Sequence, residues 1–411
     1  MLKFLKKSVL VPAVFAGLFL GCTNEEVDLP NVVRPIEIPE NISEGTNRFA
    51  FNFFQNLQQT QPATENLFVS PLSLHMALGM LLNGAEDETA SEILKTLQME
   101  GVSIDDLNKA YKTLLDGLPV ADSKVSLGLA NSMWYRNDFQ VETDFKNLIG
   151  QSFKADVTGL PFDAAAKDRI NQWASDKTNG KIKKVLDEIS ENHVMFLLNA
   201  LYFKGDWKNR FDVNNTRDAA FKLENGMDKQ VKMMYTTAEF KTAGNTAYNA
   251  IQLPYANGQF NMTLLIPKGD QTVASVIAGL SAQEWHNLQN DALTSTRAEI
   301  GLPRFQLSYT VKLNSTLGKM GINKVFTSAA QLGKINKTAN LQVDFVKQDT
   351  YLGIDEKGTE AAAVTSIGFE LTSVGAQPPR FVCDRPFVVL ISEKTSNTIL
   401  FMGRVMNPES K

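Results

Sequence analysis

Two spacings of apolar residues run through this sequence, helical and strand-like, and the switches between them mark out its elements. Phe49, Phe53, Phe54 and Leu57 recur at helical spacing and predict a helix with one buried stripe, at the start of a folded domain near Thr46. Asn66 to Ile93 reads as a buried strand, a Ser70-Pro71 helix start and an apolar helix ending at Gly84. Ser126 to Trp134 reads as a strand and Phe139 to Phe153 as a helix. Val157 to Leu160 reads as a short link, and Ala164 to Lys177 as a helix with Ile170 and Trp173 on one side. His193 to Trp207 is an almost unbroken apolar run, which suits a strand buried on both faces. Beyond it, Val231 to Met234 and Gly301 to Phe305 read as strands, Ile251 to Pro267 as a hairpin, and Leu313 to Phe326 as a helix that ends at Gly321.

One stretch near the C-terminus, Gly353 to Pro386, carries two signals at once. From Thr359 onward it alternates with period two. Thr359, Ala361, Ala363, Thr365, Ile367, Phe369 and Leu371 share one face and are small or apolar throughout. Glu360, Ala362, Val364, Ser366, Gly368, Glu370 and Thr372 share the other. That is a strand with one buried face, and no proline between Glu356 and Gln377 denies it a ladder on either side. Yet Lys357 and Gly358 at one end, and Gly375, Gln377, Pro378 and Pro379 at the other, mark the limits of an exposed loop. On composition alone, an ordinary strand or an alanine-rich helix start competes with that double reading.

Composition narrows the class. A chain of 411 residues has room for two or three domains, but no repeat or linker interrupts it, so one domain is expected. Its 43% hydrophobic and 21% charged residues are ordinary for a soluble globular protein. A formal net charge of −4 gives no basic footprint for nucleic acid. With only Cys22 and Cys383 there is no disulfide framework, so packing must supply the stability.

The first residues read as a targeting segment. Lys3, Lys6 and Lys7 precede an apolar core, Ser8 to Leu20, that is too short to span a bilayer. Leu20-Gly21-Cys22 resembles the lipobox of a bacterial lipoprotein, with Phe19 a mild departure from it. The resemblance implies a signal peptide over residues 1–21 and lipidation of Cys22. It also implies attachment to an outer membrane, facing the periplasm or the outside. A plain secreted protein cleaved nearby is the competing reading. Thr23 to Glu26 is similar to acidic surface-export signals. Pro30, Pro35 and Pro39 make residues 22–45 an extended tether.

EKGTEAAA at Glu356 to Ala363, a variable segment, and then RPFVVLISEKTSNTILFMGRVMNP at Arg385 to Pro408 resemble the reactive loop and C-terminus of a serpin. NLFVSPLSLHMALGMLLNGAEDETASEI, NQWASDKTNGKIKKVL, HVMFLLNALYFKGDW and IQLPYANGQFNMTLLIP resemble further segments in family order, so the likeness spans Thr46 to Pro408. It implies an α+β fold of about eight or nine helices around three β-sheets, occupying residues 46–411. An exposed loop over about 356–380 inserts into the main sheet. Glu356, Lys357, Gly358, Thr359, Glu360, Ala361, Ala362 and Ala363 would be its hinge. The same likeness places Ser70, Ser73 and Asn199 where the sheet parts, and Trp207 where the loop first enters. Gln348 stands where the family often has a histidine, and an amide cannot titrate near neutral pH.

The implied activity is suicide inhibition. A protease attacks the loop, the freed segment inserts, and about fourteen residues at roughly 3.3 Å each carry the acylated enzyme some 45 Å. A charge at an inward position would be buried unpaired, and the hinge residues Gly358, Thr359, Ala361, Ala362 and Ala363 are instead small. That favours inhibition over a substrate-like, carrier or binding role. The family's spacing, counted from Glu356, implies a scissile bond at Thr372-Ser373, and counted back from Pro386-Phe387 implies one nearer Gly375. Leu371, Val374 and Phe369 also qualify as the attacked residue. No basic residue lies between Lys357 and Arg380, which speaks against trypsin-like targets. Thr372 suits elastase- or subtilisin-like serine proteases. Phe369 or Leu371 suits chymotrypsin-like ones, and Leu371 also papain-like cysteine proteases. The expected partners are these proteases and, through Cys22, a membrane. A monomer without cofactor is expected.

Enzyme readings fare poorly. His75, His193 and His286 are scattered without metal-ligand spacing, and His75 reads as a core residue. Neither G-x-S-x-G nor a P-loop occurs, and Cys383 is a lone thiol, so no catalytic set and no metal site is expected. Asp105 to Leu118 holds only Lys109 and Lys112, too few for a polyanion site.

Overall fold

Helix α1 (Glu40–Thr60) buries Phe49, Phe53, Phe54 and Leu57 along one stripe, as the spacing predicts. It belongs to a computed structural model of the chain that describes residues 33–359 and 377–409. Strand β1 (Leu67–Val69), helix α2 (Pro71–Gly84), α3 (Asp87–Thr96) and α4 (Ile104–Gly117) follow. Then come β2 (Val125–Arg136), α5 (Thr143–Ser152), β3 (Asp156–Leu160), α6 (Ala164–Lys177) and β4 (Met195–Asp206). The middle of the chain is mostly sheet: β5 (Arg217–Lys222), β6 (Asp228–Gly244), β7 (Tyr248–Pro254) and β8 (Phe260–Pro267). After α7 (Val273–Gly279) and α8 (Ala282–Asn287) come β9 (Thr294–Pro303), β10 (Phe305–Lys312) and α9 (Asn314–Met320). The last strands are β11 (Lys347–Ile354), β12 (Gly358–Thr359), β13 (Arg380–Val382), β14 (Phe387–Glu393) and β15 (Thr398–Val405).

Hydrogen bonding joins the described strands into two sheets rather than the expected three. The larger has the order β1-β15-β14-β8-β7-β6-β9-β13, with β5 also on β6. Strand β6 is the reason. It is long enough to pair β5 and β9 along most of its length and β7 through Lys241–Gly244, so one strand fuses two layers. The smaller sheet runs β10-β11-β12-β4-β2-β3. Helix α2 lies under it, apolar all round and buried, with Ser70 capping its first turn by accepting from Ser73 N at 3.1 Å. Helix α6 covers the opposite face through Ile170 and Trp173, which pack with Trp134, Phe196 and Ala200.

Three further sequence readings need correction. The body takes in the end of the presumed tether. Ile36 is buried against Gly117, where a β-carbon would lie 2.9 Å from it, and the Arg34 backbone exchanges bonds of 3.0 and 2.6 Å with the Gln259 amide. Pro39 then serves as the lead-in to α1 rather than as a spacer. Val157 to Leu160 is not a link but the edge strand β3, parallel to β2; its half-buried positions give no clear period. Gly301 to Phe305 straddles two strands in different sheets, broken at Arg304. The helix expected to end at Gly321 does so: α9 runs to Met320, Gly321 closes it with φ 111°, and a short 3-10 turn at Lys324–Phe326 follows.

Candidate functional site

The chain leaves β11, turns, and enters the sheet again as the two residues of β12. Asp355 builds the turn: its Oδ1 accepts from the backbone of Lys357 (2.9 Å) and Gly358 (3.2 Å), and its own N–H donates to the Gly358 carbonyl at 3.0 Å. The chain then lies between β11 and β4, Thr359 opposite Ile354 on one side and Gly205 on the other, Gly358 opposite Asp206. Gly358 is the tightest point. A β-carbon there would sit 2.0 Å from the Gly205 carbonyl oxygen and 2.8 Å from the Asp206 Cα.

Around this entry the hinge residues are held one by one. Trp207 donates its backbone N–H to the Lys357 carbonyl (2.7 Å) and its indole N–H to the Asp355 carbonyl (3.0 Å). Phe211 N–H donates to the Glu356 carbonyl at 2.8 Å. The buried Glu356 carboxylate accepts from Thr216 Oγ1 at 2.8 Å and lies 3.5 Å from Arg304 Nη1. Trp207 stacks on Tyr255, ring centres 4.5 Å apart, and the Tyr255 hydroxyl meets Thr359 Oγ1 at 2.7 Å. Burial pushes that phenol far above its ordinary range, so it stays a hydrogen-bonding group and never an anion. Lys357 Nζ is buried with no hydrogen-bond partner among the described residues.

Below β12 the flanking strands are joined by no ladder among the described residues. A cavity of about 400 Å³ lies there, lined by Leu197 and Asn199 of β4, Val346 and Gln348 beside them, and Leu74 and Leu78 of α2. This is why Leu197 to Asn199 are only half-buried, where the sequence reading expected burial on both faces. The first turn of α2 holds both strands. Ser70 and the Gln348 amide exchange two bonds of 2.9 Å, and Ser70 Oγ donates to the Leu400 carbonyl at 2.7 Å. One turn on, Ser73 Oγ donates to Asn199 Oδ1. Asn199 in turn donates to Asn131 Oδ1 at 2.6 Å, and Asn131 to the Phe153 carbonyl at 2.8 Å. A single helix terminus therefore fixes β11 through Ser70 and β4 through Ser73.

Ser70, Ser73, Asn199, Gln348 and Trp207 thus come together with Glu356 to Thr359, in two adjoining clusters. Tyr255, Asn131, Thr216 and Arg304 belong to the same clusters and carried no signal in the sequence; each reaches the site from a distant strand or loop. Glu360, Ala361, Ala362, Ala363, Phe369, Leu371, Thr372, Ser373, Val374, Gly375 and Cys22 lie outside the described residues. His75 is a core residue, its Nε2 on the Leu97 carbonyl at 3.1 Å and its Nδ1 on Tyr111 Oη at 2.7 Å, and burial pushes its pKa down to about 4. Cys383 is buried and its thiol is pushed well up by that burial, which makes it a poor nucleophile.

Comparison with known proteins places the chain in a family. The family profile described as Serpin (serine protease inhibitor) matches residues 44–408. A serine protease inhibitor of Cyanea capillata is 32% identical over 88% of this chain and 97% of its own. The leukocyte elastase inhibitor of Bos taurus is 30% identical over 90% and 100%. The native-state crystal structure of the thermophilic serpin tengpin superposes with TM-score 0.82 at 30% identity, over 91% of this chain and 96% of that one. Human thyroxine-binding globulin superposes with TM-score 0.81 at 27% identity, over 90% and 99%. The chain belongs to the serpin family, whose α+β fold it has.

Proposed function

We propose that the chain is a suicide-substrate inhibitor of serine endopeptidases. The observation that carries this reading is β12: the hinge already occupies a two-residue place between β4 and β11, and the sequence beyond it is written as a strand. A protease acylated at the loop would release residues from Glu360 onward to extend β12 down the sheet. Every added rung forms ladder bonds on both sides and covers apolar lining of the cavity. Insertion is therefore favourable and carries the enzyme to the far end before it deacylates. The native sheet is a kinetically held state on this account, in line with the stored strain that serpin loops release on insertion.

The scissile bond is proposed at Thr372-Ser373, with elastase-like and subtilisin-like proteases as first targets. Chymotrypsin-like serine and papain-like cysteine proteases are reached through the neighbouring bonds. A relative named for leukocyte elastase supports the first of these. Lipidation at Cys22 would tether the inhibitor to a membrane. The test is to mix the full chain carrying Cys22→Ser with pancreatic elastase. A covalent band on denaturing gels, with a released peptide beginning near Ser373, is the expected result. Cleavage by elastase, subtilisin, chymotrypsin and papain without any complex overturns inhibition. It would move a carrier role, of the kind the thyroxine-binding relative is named for, to the front.

A further inference from the structure

Gln259 is wholly buried, and segments from both ends of the chain meet on it. Its side chain accepts from the Arg34 N–H at 3.0 Å and donates to the Arg34 carbonyl at 2.6 Å, while its own carbonyl accepts from the Lys394 N–H at 2.8 Å. The segment that carries Arg34, residues 33–39, is pinned twice more. Ile36 is buried beside Gly117 and donates its N–H to Thr395 Oγ1 at 2.8 Å, and Arg34 Nη1 donates to the Val120 carbonyl at 3.2 Å. Gln259 closes the turn between β7 and β8, and that turn does not hold its own shape. Ala256 stands at φ 30°, in the left-handed region that a β-carbon disfavours, near Gly258 at φ 84°. Bonds from outside fix it: the Ala256 N–H on the Asp206 carbonyl (2.9 Å), the Asn257 N–H on Asp122 Oδ2 (2.9 Å), and the Gln259 amide on Arg34. Tyr255 is the first residue of this turn, and its ring and hydroxyl reach Trp207 and Thr359.

We propose that residues 33–39 are a strap that positions the hinge, with Gln259 as the relay between the two. The chain of contacts is short. Arg34 grips the Gln259 amide, Gln259 ends the turn that Tyr255 begins, and Tyr255 stacks on Trp207 at 4.5 Å and meets Thr359 Oγ1 at 2.7 Å. Trp207 in turn bonds the carbonyls of Asp355 and Lys357. Lifting the strap strips a buried amide of both its bonds. The turn then relaxes from its left-handed alanine, and Tyr255 moves with it. Asp122 still holds the turn through Asn257, so the hinge is loosened rather than freed. Gln259 and Ile36 are thus positioning residues that act through Tyr255. The coupling belongs to the uncleaved protein and stands whether or not a protease is trapped. Its consequence is regulatory. Pro35 and Glu37 are exposed, and a cut there would loosen the hinge while leaving the reactive loop intact.

The test is amide hydrogen exchange under native conditions, read by mass spectrometry on the full chain carrying Cys22→Ser. Gly117 has helical backbone angles that suit any residue, so Gly117→Val acts first on its neighbour, with the new β-carbon 2.9 Å from Ile36 Cγ1. Exchange of the amides at residues 355–359 is expected to quicken roughly tenfold, while that of α6, which these contacts do not reach, stays as it is. Adding Ile36→Ala makes room for the valine, a volume-conserving swap, and should return the hinge amides towards the wild-type rate. Ile36→Asp puts a charge in the same apolar niche and should quicken the same amides, which keeps the test open if the valine chain does not fold. A hinge that does not respond to Ile36→Asp overturns the coupling, as does exchange that quickens within residues 33–39 alone. Acceleration that is uniform from the hinge to α6 marks general destabilisation and overturns it as well. Elastase trapping is measured beside each exchange curve. A hinge response without trapping by any variant or the wild type means that the inhibitory reading fails and the strap stands. Trapping without a hinge response overturns the strap alone.

Discussion

Gly358 lies against Gly205 so closely that a β-carbon on the former would fall 2.0 Å from the carbonyl oxygen of the latter. Gly205 is itself confined, since a β-carbon there would meet the Tyr255 ring at 2.9 Å. Two glycines from strands far apart in sequence therefore make the slot through which the hinge enters. Gly358→Val should push the hinge out of this slot, at a cost of about 1–3 kcal/mol. The expected outcome is a lower melting temperature of the uncleaved protein and a shift from trapped to simply cleaved product with elastase. A Gly358→Val protein that melts and traps like the wild type would show that the slot does not matter.

Ser73 donates to Asn199 from the same helix turn that grips Gln348 through Ser70. Ser73→Ala leaves the half-buried Asn199 amide oxygen short of its donor, which costs about 1 kcal/mol. That cost falls on the closed sheet. Spontaneous loss of inhibitory activity on warming should become several-fold faster, with the loop uncleaved by mass. Unchanged decay would place control of opening elsewhere.

Tyr255→Phe removes the hydroxyl that meets Thr359 and leaves the stack on Trp207 in place. The expected loss is about 1 kcal/mol in the uncleaved form, read as a small drop in melting temperature. Near-ultraviolet circular dichroism of Trp207 should be preserved; a large change in it would mean that the ring, not the hydroxyl, does the holding.

Stability should fall with acid through His75. The unfolded histidine takes up a proton near pH 6.5, whereas burial holds the folded group at about 4. Between these values the unfolded chain binds more protons, so stability is lost as pH drops from 6.5 to 4 and levels off below. The gap corresponds to on the order of 3 kcal/mol. Melting curves across this range should flatten in His75→Gln. Parallel curves for the two proteins would assign the acid sensitivity to other groups.

Target choice rests on the proposed bond. Thr372→Arg should make the chain trap trypsin, with an association rate up by roughly a hundredfold or more over the wild type. Labelled trypsin and a denaturing gel decide it. Cleavage at Arg380 instead, with no complex, would move the reactive bond away from Thr372.

Much of this was legible before any coordinates. The α1 stripe, the capped start of α2, the α6 helix and the β7–β8 hairpin follow from local spacing and turn chemistry, because each is set by near neighbours. Edge strand β3 and the break at Arg304 escaped notice for the opposite reason. A half-exposed strand has no strong period, and a change of sheet is a tertiary event. The buried place of Ile36 likewise depends on a vacancy at Gly117, which no local pattern around Ile36 announces.

Period and composition alone mark the residues from Thr359 with a strand-like alternation whose one face is small or apolar, and leave the hinge free of bulky side chains. Side-chain size and alternation are properties of the chain itself. The tertiary structure decided where Gly358 and Thr359 sit, between β11 and β4. Register is a relation between strands, so the pairing of Thr359 with both Gly205 and Ile354 could not be read from the loop's own residues. The polar network that holds the sheet is decided there too, since Ser73, Asn199, Asn131, Ser70 and Gln348 meet across three elements and the helix beneath them.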